Sequence, residues 1–272
     1  MRLDKYLAES WVGQRKQVRT LIQQGKVTVN GVVVLEAAYE VEESKDVIQY
    51  EQQTIHHPGK RYIMFHKPTG CITARKDECH TTVLDYIHES ERPGLFPIGR
   101  LDKDTQGLLL LTNDGEYDYQ LMNPKHHVKK TYYFWALGSI HEEEKLKLEK
   151  GLSIGDESEV TKPATLTIHR SGFYDEFAEE IDGKEEIPHN EMGEKKDIKD
   201  KVYRKPVVSG YLTITEGKKH QVKRMLRAIG CYVIYLKRLS IGDLTLDENL
   251  KPGEYREMSN EEILMALGEE GN

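Results

Sequence analysis

Cysteine is scarce in this chain: there are three, Cys71, Cys79 and Cys231, with no C-x-x-C pair among them. Neither a disulfide framework nor a structural zinc site is suggested, and reduced thiols fit a cytosolic setting. Long apolar runs are missing as well. The longest fall far below the roughly 20 residues that a membrane-crossing helix needs, and Met1-Arg2-Leu3-Asp4-Lys5 lacks the apolar centre of a signal peptide. A soluble, cytoplasmic protein without a membrane partner is expected. There is no glycine-rich phosphate loop. Ligand clusters are absent too: the His56-His57 pair has no spaced acidic or cysteine partner, so it reads as solvated linker and no metal is expected.

Positive charge is in overall deficit, at a formal net of -7. Taken alone, that argues against a nucleic-acid partner, because phosphate binding needs local positive potential. The distribution reverses the argument. Residues 173–200 hold eleven Asp or Glu against four Lys and account for the whole imbalance. Two basic patches remain: residues 1–34 hold six Arg or Lys against two acids, and residues 216–238 hold seven against one.

At 272 residues the chain has room for two domains. Leu3, Tyr6 and Leu7, then Val18, Leu21 and Ile22, recur at helical spacing on either side of Trp11-Val12-Gly13, which predicts two short helices. Two β-branched runs joined at Asn30-Gly31 predict a hairpin. The polar stretch Gln52 to Gly59 is where the interdomain linker is placed. Further on, the sequence predicts a strand from Arg61, an N-capped helix at 81–87, a helix at 116–122, a strand at 129–137, an exposed helix at 142–152, a strand at 207–215 and a helix from Glu216 to Gly230.

One stretch combines charge with a buried strand. Gly99-Arg100-Leu101-Asp102-Lys103-Asp104-Thr105-Gln106-Gly107 runs directly into Leu108-Leu109-Leu110-Leu111, which the Asn113-Asp114-Gly115 turn stops. Four leucines in a row read as a strand apolar on both faces, with the charged segment as a loop at its mouth. Such a loop is either a solvated turn or a rigidly held site for a reactive carboxylate. Asp102, Asp104 and Asp114 holding magnesium for phosphoryl transfer is a weak third reading, because the phosphate loop is lacking.

Two resemblances decide between these. Arg2-Leu3-Asp4-Lys5-Tyr6-Leu7, Arg15-Lys16-Gln17-Val18 and Leu21 to Gly31 resemble the RNA-binding domain first named for a small-subunit ribosomal protein. Lys67-Pro68-Thr69-Gly70, Gly99 to Leu108, Lys130-Thr131-Tyr132 and Gly217-Lys218-Lys219-His220-Gln221-Val222-Lys223-Arg224-Met225 occur in the order of the bacterial pseudouridine synthases that modify ribosomal RNA, in particular the small-subunit branch. The second resemblance spans nearly the whole chain.

It implies an α+β protein: a small N-terminal α/β RNA-binding domain at 1–56, a linker at 57–60, and a catalytic domain at 61–272 on a largely antiparallel mixed sheet flanked by helices. An acidic insertion at about 171–201 is expected to be a loop between two strands. The resemblance places the catalytic aspartate on Asp102, the active-site tyrosine on Tyr132 and the basic partner of the aspartate on Lys223, with no cofactor. Tyr132 is expected to stack under the uracil and help remove the proton from its carbon five, and His220 to be an ordinary helix residue. A uridine turned out of its stack must be compensated by phosphate contacts. The candidates are Arg2, Lys5, Arg15, Lys16, Arg19 and Lys26 in the first domain and Lys67, Arg100, Lys103, Lys218, Lys219, Arg224 and Arg227 in the second. The expected partner of this monomer is ribosomal RNA within a partly assembled small subunit. The alternatives are large-subunit RNA as substrate, or a silent ribosome-assembly protein, which would have no need of Asp102.

Overall fold

The computed structural model describes residues 1–57, 59–155, 160–177 and 205–268. Most of the acidic segment expected at 171–201 therefore lies outside the described residues, while Ser171 to Phe173 belong to a strand.

The first fifty-five residues build a core of their own. Helices α1 (Leu3–Glu9) and α2 (Arg15–Gln23) bury Leu3, Tyr6, Leu7, Val18 and Ile22 against a four-stranded sheet. Its strands β1 (Val27–Val29), β2 (Val32–Val33), β3 (Ile48–Tyr50) and β4 (Gln53–Ile55) follow the order β2-β1-β3-β4. The β1–β2 turn is Asn30-Gly31, both at positive φ, as a tight hairpin of right-handed twist requires. Strand β4 occupies part of the stretch read as linker; it is an edge strand with little buried surface, so its polar sequence hid it. Trp11 lies over Gly94 of the larger unit, where a Cβ would come within 2.6 Å of the indole.

The larger sheet has the order β13 (Tyr255–Glu257), β5 (Tyr62–Lys67), β7 (Gln106–Thr112), β11 (Tyr232–Ile241), β8 (Lys130–Leu137), β10 (Pro206–Ile214), β9 (Thr165–Phe173). Two short strands add to it, β6 (Phe96–Ile98) on β7 and β12 (Leu244–Thr245) on β11. The leucine run of β7 is buried on both faces as expected. Leu109 and Leu111 join Phe65, Phe134 and Leu212 in one core, while Leu108 and Leu110 join Met64, Tyr117 and Ile241 in another. At about 2 kcal/mol per fully buried leucine, this strand anchors the segment on either side of it.

Helix α3 (Gly115–Met122) is capped by Asp114, which accepts from the Glu116 amide. Helix α4 (Glu142–Lys150) buries Leu148. Helix α5 (Gln221–Ala228) is shorter than its pattern predicts: it starts after His220, which sits at φ 52 and cannot continue a right-handed helix. Residues Val83–Tyr86 make a single 3-10 turn instead of the expected helix. Helix α6 (Asn260–Leu267) is capped by Ser259 near the C-terminal end.

Strands β7 and β11 pair in parallel at two positions, Gln106 with Lys237 and Gly107 with Arg238; the other pairings of this sheet are antiparallel. Gly107 is required there. Its φ is +109, and an added Cβ would overlap the Arg238 carbonyl and lie 2.7 Å from the Arg238 nitrogen. Gly107→Ala is expected to cost about 3 kcal/mol in unfolding free energy through strain and overpacking. Urea denaturation checks this, and an unchanged midpoint would mean that the two strands do not meet so closely.

Candidate active site

The loop that leads into β7 is held from beneath by a buried cation. Lys67, at the end of β5, is fully buried and donates to the carbonyls of Pro68 at 2.9 Å, Thr105 at 3.0 Å and Lys103 at 3.4 Å. Burial pushes its ammonium below the ordinary lysine range, partly offset by Cys71, Asp104 and Asp102 nearby. This corrects its expected place among the RNA contacts: an amine with no exposed surface cannot touch a phosphate. Thr73 adds a second clamp, donating to the Leu101 carbonyl at 2.7 Å and accepting from the Leu101 amide at 3.1 Å.

That loop presents two carboxylates to one ammonium. Lys223, on α5, lies 3.3 Å from the Asp102 carboxylate and in direct contact with Asp104. All three side chains are partly exposed. His220 Nε2 stands 3.5 Å from the other Asp102 oxygen, so His220 faces the carboxylate from the helix cap instead of being a helix residue. Buried Gln221 shapes this cap, accepting from the Lys218 amide at 2.8 Å and donating to Glu216 at 2.6 Å. Asp114 lies at the opposite end of β7, bonded to Tyr62 at 2.8 Å and paired with Lys60 at 2.9 Å. It cannot share a metal with Asp102 and Asp104. Among the described residues no three His, Cys, Asp or Glu side chains gather as a metal-ligand set.

Behind the carboxylates lies a cleft of about 530 Å³, large enough for a nucleotide. Tyr132, Ile214, Val222 and Leu236 give it apolar and aromatic walls, and Asp102 and Lys223 are also in its lining. Tyr132 is buried, and its register partners are Leu212 and Arg238. Two buried cations complete the lining, Lys130 and Arg238. The sequence reading assigned neither of them a role. The signal for Arg238 was its period-2 spacing from Leu236 along β11, and for Lys130 its position two residues before Tyr132 on β8. A carboxylate beside an ammonium and an aromatic wall suit chemistry on a sugar and its base.

The remaining cations divide by location. Arg100, Lys218 and Lys219 line the cleft, whereas Lys103, Arg224 and Arg227 do not. In the first unit Arg2, Arg15 and Arg19 converge on Asp4, at 3.1, 3.2 and 2.8 Å. Asp4 is fully buried while each arginine stays about half exposed. Lys5 pairs with Glu9 and Lys26 with Glu51, and Lys16 is exposed. Burial by itself raises the Asp4 carboxyl, but hydrogen bonds from Arg15, Arg19 and Arg2 outweigh it and hold the group well below the usual carboxylate range.

A carboxyl lowered on folding stabilises fully above its unfolded pKa of about 3.9 and loses that contribution as pH falls toward its folded value. Asp4→Asn should therefore cost about 2 kcal/mol at pH 7. The gap between variant and wild type should narrow from pH 5 downward in urea titrations. A gap independent of pH would refute the ion-pair account.

Known proteins share this architecture and its motifs. Residues 61–228 match the RNA pseudouridylate synthase family and residues 1–48 match the S4 domain. The chain is 39% identical to an uncharacterized RNA pseudouridine synthase of Bacillus subtilis, with 97% of each chain covered. It is 36% identical to ribosomal small subunit pseudouridine synthase A of Vibrio cholerae and 34% identical to that of Escherichia coli, covering 97% of this chain and 98% of each relative. A crystal structure of a pseudouridylate synthase superposes with a TM-score of 0.60 at 32% identity, over 98% of this chain and 99% of the other. With matched motifs, a matched sheet and full-length coverage, the chain belongs to the RNA pseudouridylate synthases and is an RNA-binding isomerase with an N-terminal S4 domain.

Proposed function

We propose that this protein isomerises a uridine of small-subunit ribosomal RNA to pseudouridine, with Asp102 as the carboxylate that acts on the sugar. One observation carries the reading: Asp102 lines a nucleotide-sized cleft with Lys223 at 3.3 Å and Tyr132 on the cleft wall. Breaking the bond from C1′ to N1 requires the carboxylate either to attack C1′ or to take a ribose proton. Both routes need it ionised, and the Lys223 ammonium stands 3.3 Å from it. Tyr132 offers a flat face on which the detached uracil stacks while it turns, and its hydroxyl helps to remove the C5 proton.

Reaching the sugar requires the uridine to leave its stack. Arg100, Lys218 and Lys219 at the cleft, with Lys103, Arg224 and Arg227 outside it, grip the flanking phosphates. Arg2, Lys5, Arg15, Lys16, Arg19 and Lys26 supply a second, tethered grip that raises effective concentration. The small-subunit assignment is supported by the names of the Vibrio cholerae and Escherichia coli relatives. The reading includes a monomer acting in the cytoplasm on RNA in a partly assembled subunit; no described helix is long and apolar enough to cross a membrane.

Incubation with unmodified small- and large-subunit RNAs, followed by carbodiimide-blocked primer extension, tests this. Wild type should produce one stop, in small-subunit RNA, and Asp102→Ala none. Lys223→Met should slow the reaction by about 100-fold, in the range for losing one electrostatic partner of the reacting group. Equal stops from wild type and Asp102→Ala would overturn the assignment of Asp102. A stop confined to large-subunit RNA would overturn the substrate.

A further inference from the structure

Arg238 sits in the cleft with no part in the reaction as outlined so far. It is 3% exposed, its Nε donates to the Leu108 carbonyl at 2.8 Å, and its Nη2 has no hydrogen-bond partner among the described residues. The alternation of β11 puts it on the cleft face with Leu236, in register beside Tyr132. Lys130 is also buried and donates to the Val128 carbonyl at 3.0 Å. Burial, and then the charge of Arg238, push the Lys130 ammonium down to about 8. Two cations that repel one another are buried here, and among the described residues no ion pair joins either of them to a carboxylate, while Asp102 and Asp104 are engaged by Lys223. A buried cation with an open donor calls for an anion.

We propose that Arg238, with Lys130 beside it, forms the anion site for the detached uracil, taking up the negative charge that the base acquires when its bond to the sugar breaks. The inference rests on the pseudouridine synthase reading, but not on which route Asp102 follows. If Asp102 attacks C1′, its oxygen makes the new bond and the C1′–N1 pair departs on the base. If Asp102 takes the C2′ proton, the C2′–H pair becomes a C1′–C2′ double bond and the C1′–N1 pair again departs on the base.

In both routes uracil is a monoanion, its charge shared by N1 and the two carbonyl oxygens. C5 then bonds to C1′, and Asp102 is released in the first route or returns its proton to C2′ in the second. Loss of the C5 proton and protonation of N1 complete the isomer. A donor fixed by the Leu108 carbonyl and itself buried stabilises charge that exists only after bond breaking begins. The neighbours favour a base over a phosphate: Tyr132, Leu236 and Ile214 present flat and apolar surface on the same lining.

The test compares single-turnover rates of wild type, Arg238→Met, Arg238→Lys and Lys130→Met on RNA carrying uridine or 5-fluorouridine at the mapped position. Loss of the parent nucleoside is read by mass spectrometry of nuclease digests, and RNA affinity is measured across salt concentrations. Fluorine already stabilises the uracil anion. Arg238→Met should therefore lose about 100-fold with uridine and clearly less with 5-fluorouridine, at unchanged RNA affinity. Arg238→Lys should lose less than Arg238→Met, and it carries the same comparison between bases should the methionine variant be insoluble. An equal deficit on both bases overturns the inference. So does weakened RNA binding with the salt slope reduced by about one, which marks a phosphate contact. A wild type that converts no uridine overturns the functional reading and this inference together, whereas either of the other results overturns this inference alone.

Discussion

The close approach of two backbones at Gly107 and Arg238 is the constraint on which the cleft depends. Strands β13, β5 and β7, with β6, form one half of the large sheet, and β11, β8, β10 and β9, with β12, form the other; the halves join through two parallel register pairs. A Cβ at residue 107 would force them apart. Because they touch there, the loop ending at Gln106 is delivered to the edge of a sheet whose other half supplies Tyr132 and Arg238. The Arg238 bond to the Leu108 carbonyl spans 130 residues of sequence. Closing so long a loop is entropically costly until most of the sheet exists, so the site is complete only in the finished fold.

Charge within the site is layered. Lys67 lies deepest, neutralising the dipoles of loop carbonyls; the acids of that loop lie above it; Lys223 bridges those acids from α5. Each layer orders the next. A loop of alternating charge without Lys67 beneath and Lys223 above would be the solvated turn that its composition also allows. The same residues give a fixed carboxylate because their partners arrive from β5 and α5.

Much of this was legible from residue pattern. The leucine run predicted a strand buried on both faces, and Asn30-Gly31 predicted the hairpin of the first domain. What escaped was set by distant parts of the chain. Lys67 beside Pro68 reads as a surface cation, and its burial depends on carbonyls up to 38 residues away. His220 has a helical neighbourhood, but the loop fixed by Gln221 and Glu216 holds it in the left-handed region. Arg238 sits in a run that also contains Lys237, and only strand parity distinguishes the inward cation from the outward one. The roles of Asp102, Tyr132 and Lys223 came from family resemblance, since spacing alone left the charged loop ambiguous.

The three arginines around Asp4 have a consequence for the thermodynamics of polyanion contact. A free arginine side chain surrenders up to about 2 kcal/mol of rotamer entropy when it is pinned. Here the pinning happens on folding, against a buried carboxylate, while about half of each side chain stays open to solvent. A phosphate strand laid on this face therefore meets groups that are already ordered. The same carboxylate cancels one of the three charges, so fewer counterions are released than a count of arginines suggests. If this face holds RNA as proposed, it exchanges part of its salt-dependent attraction for a fixed geometry.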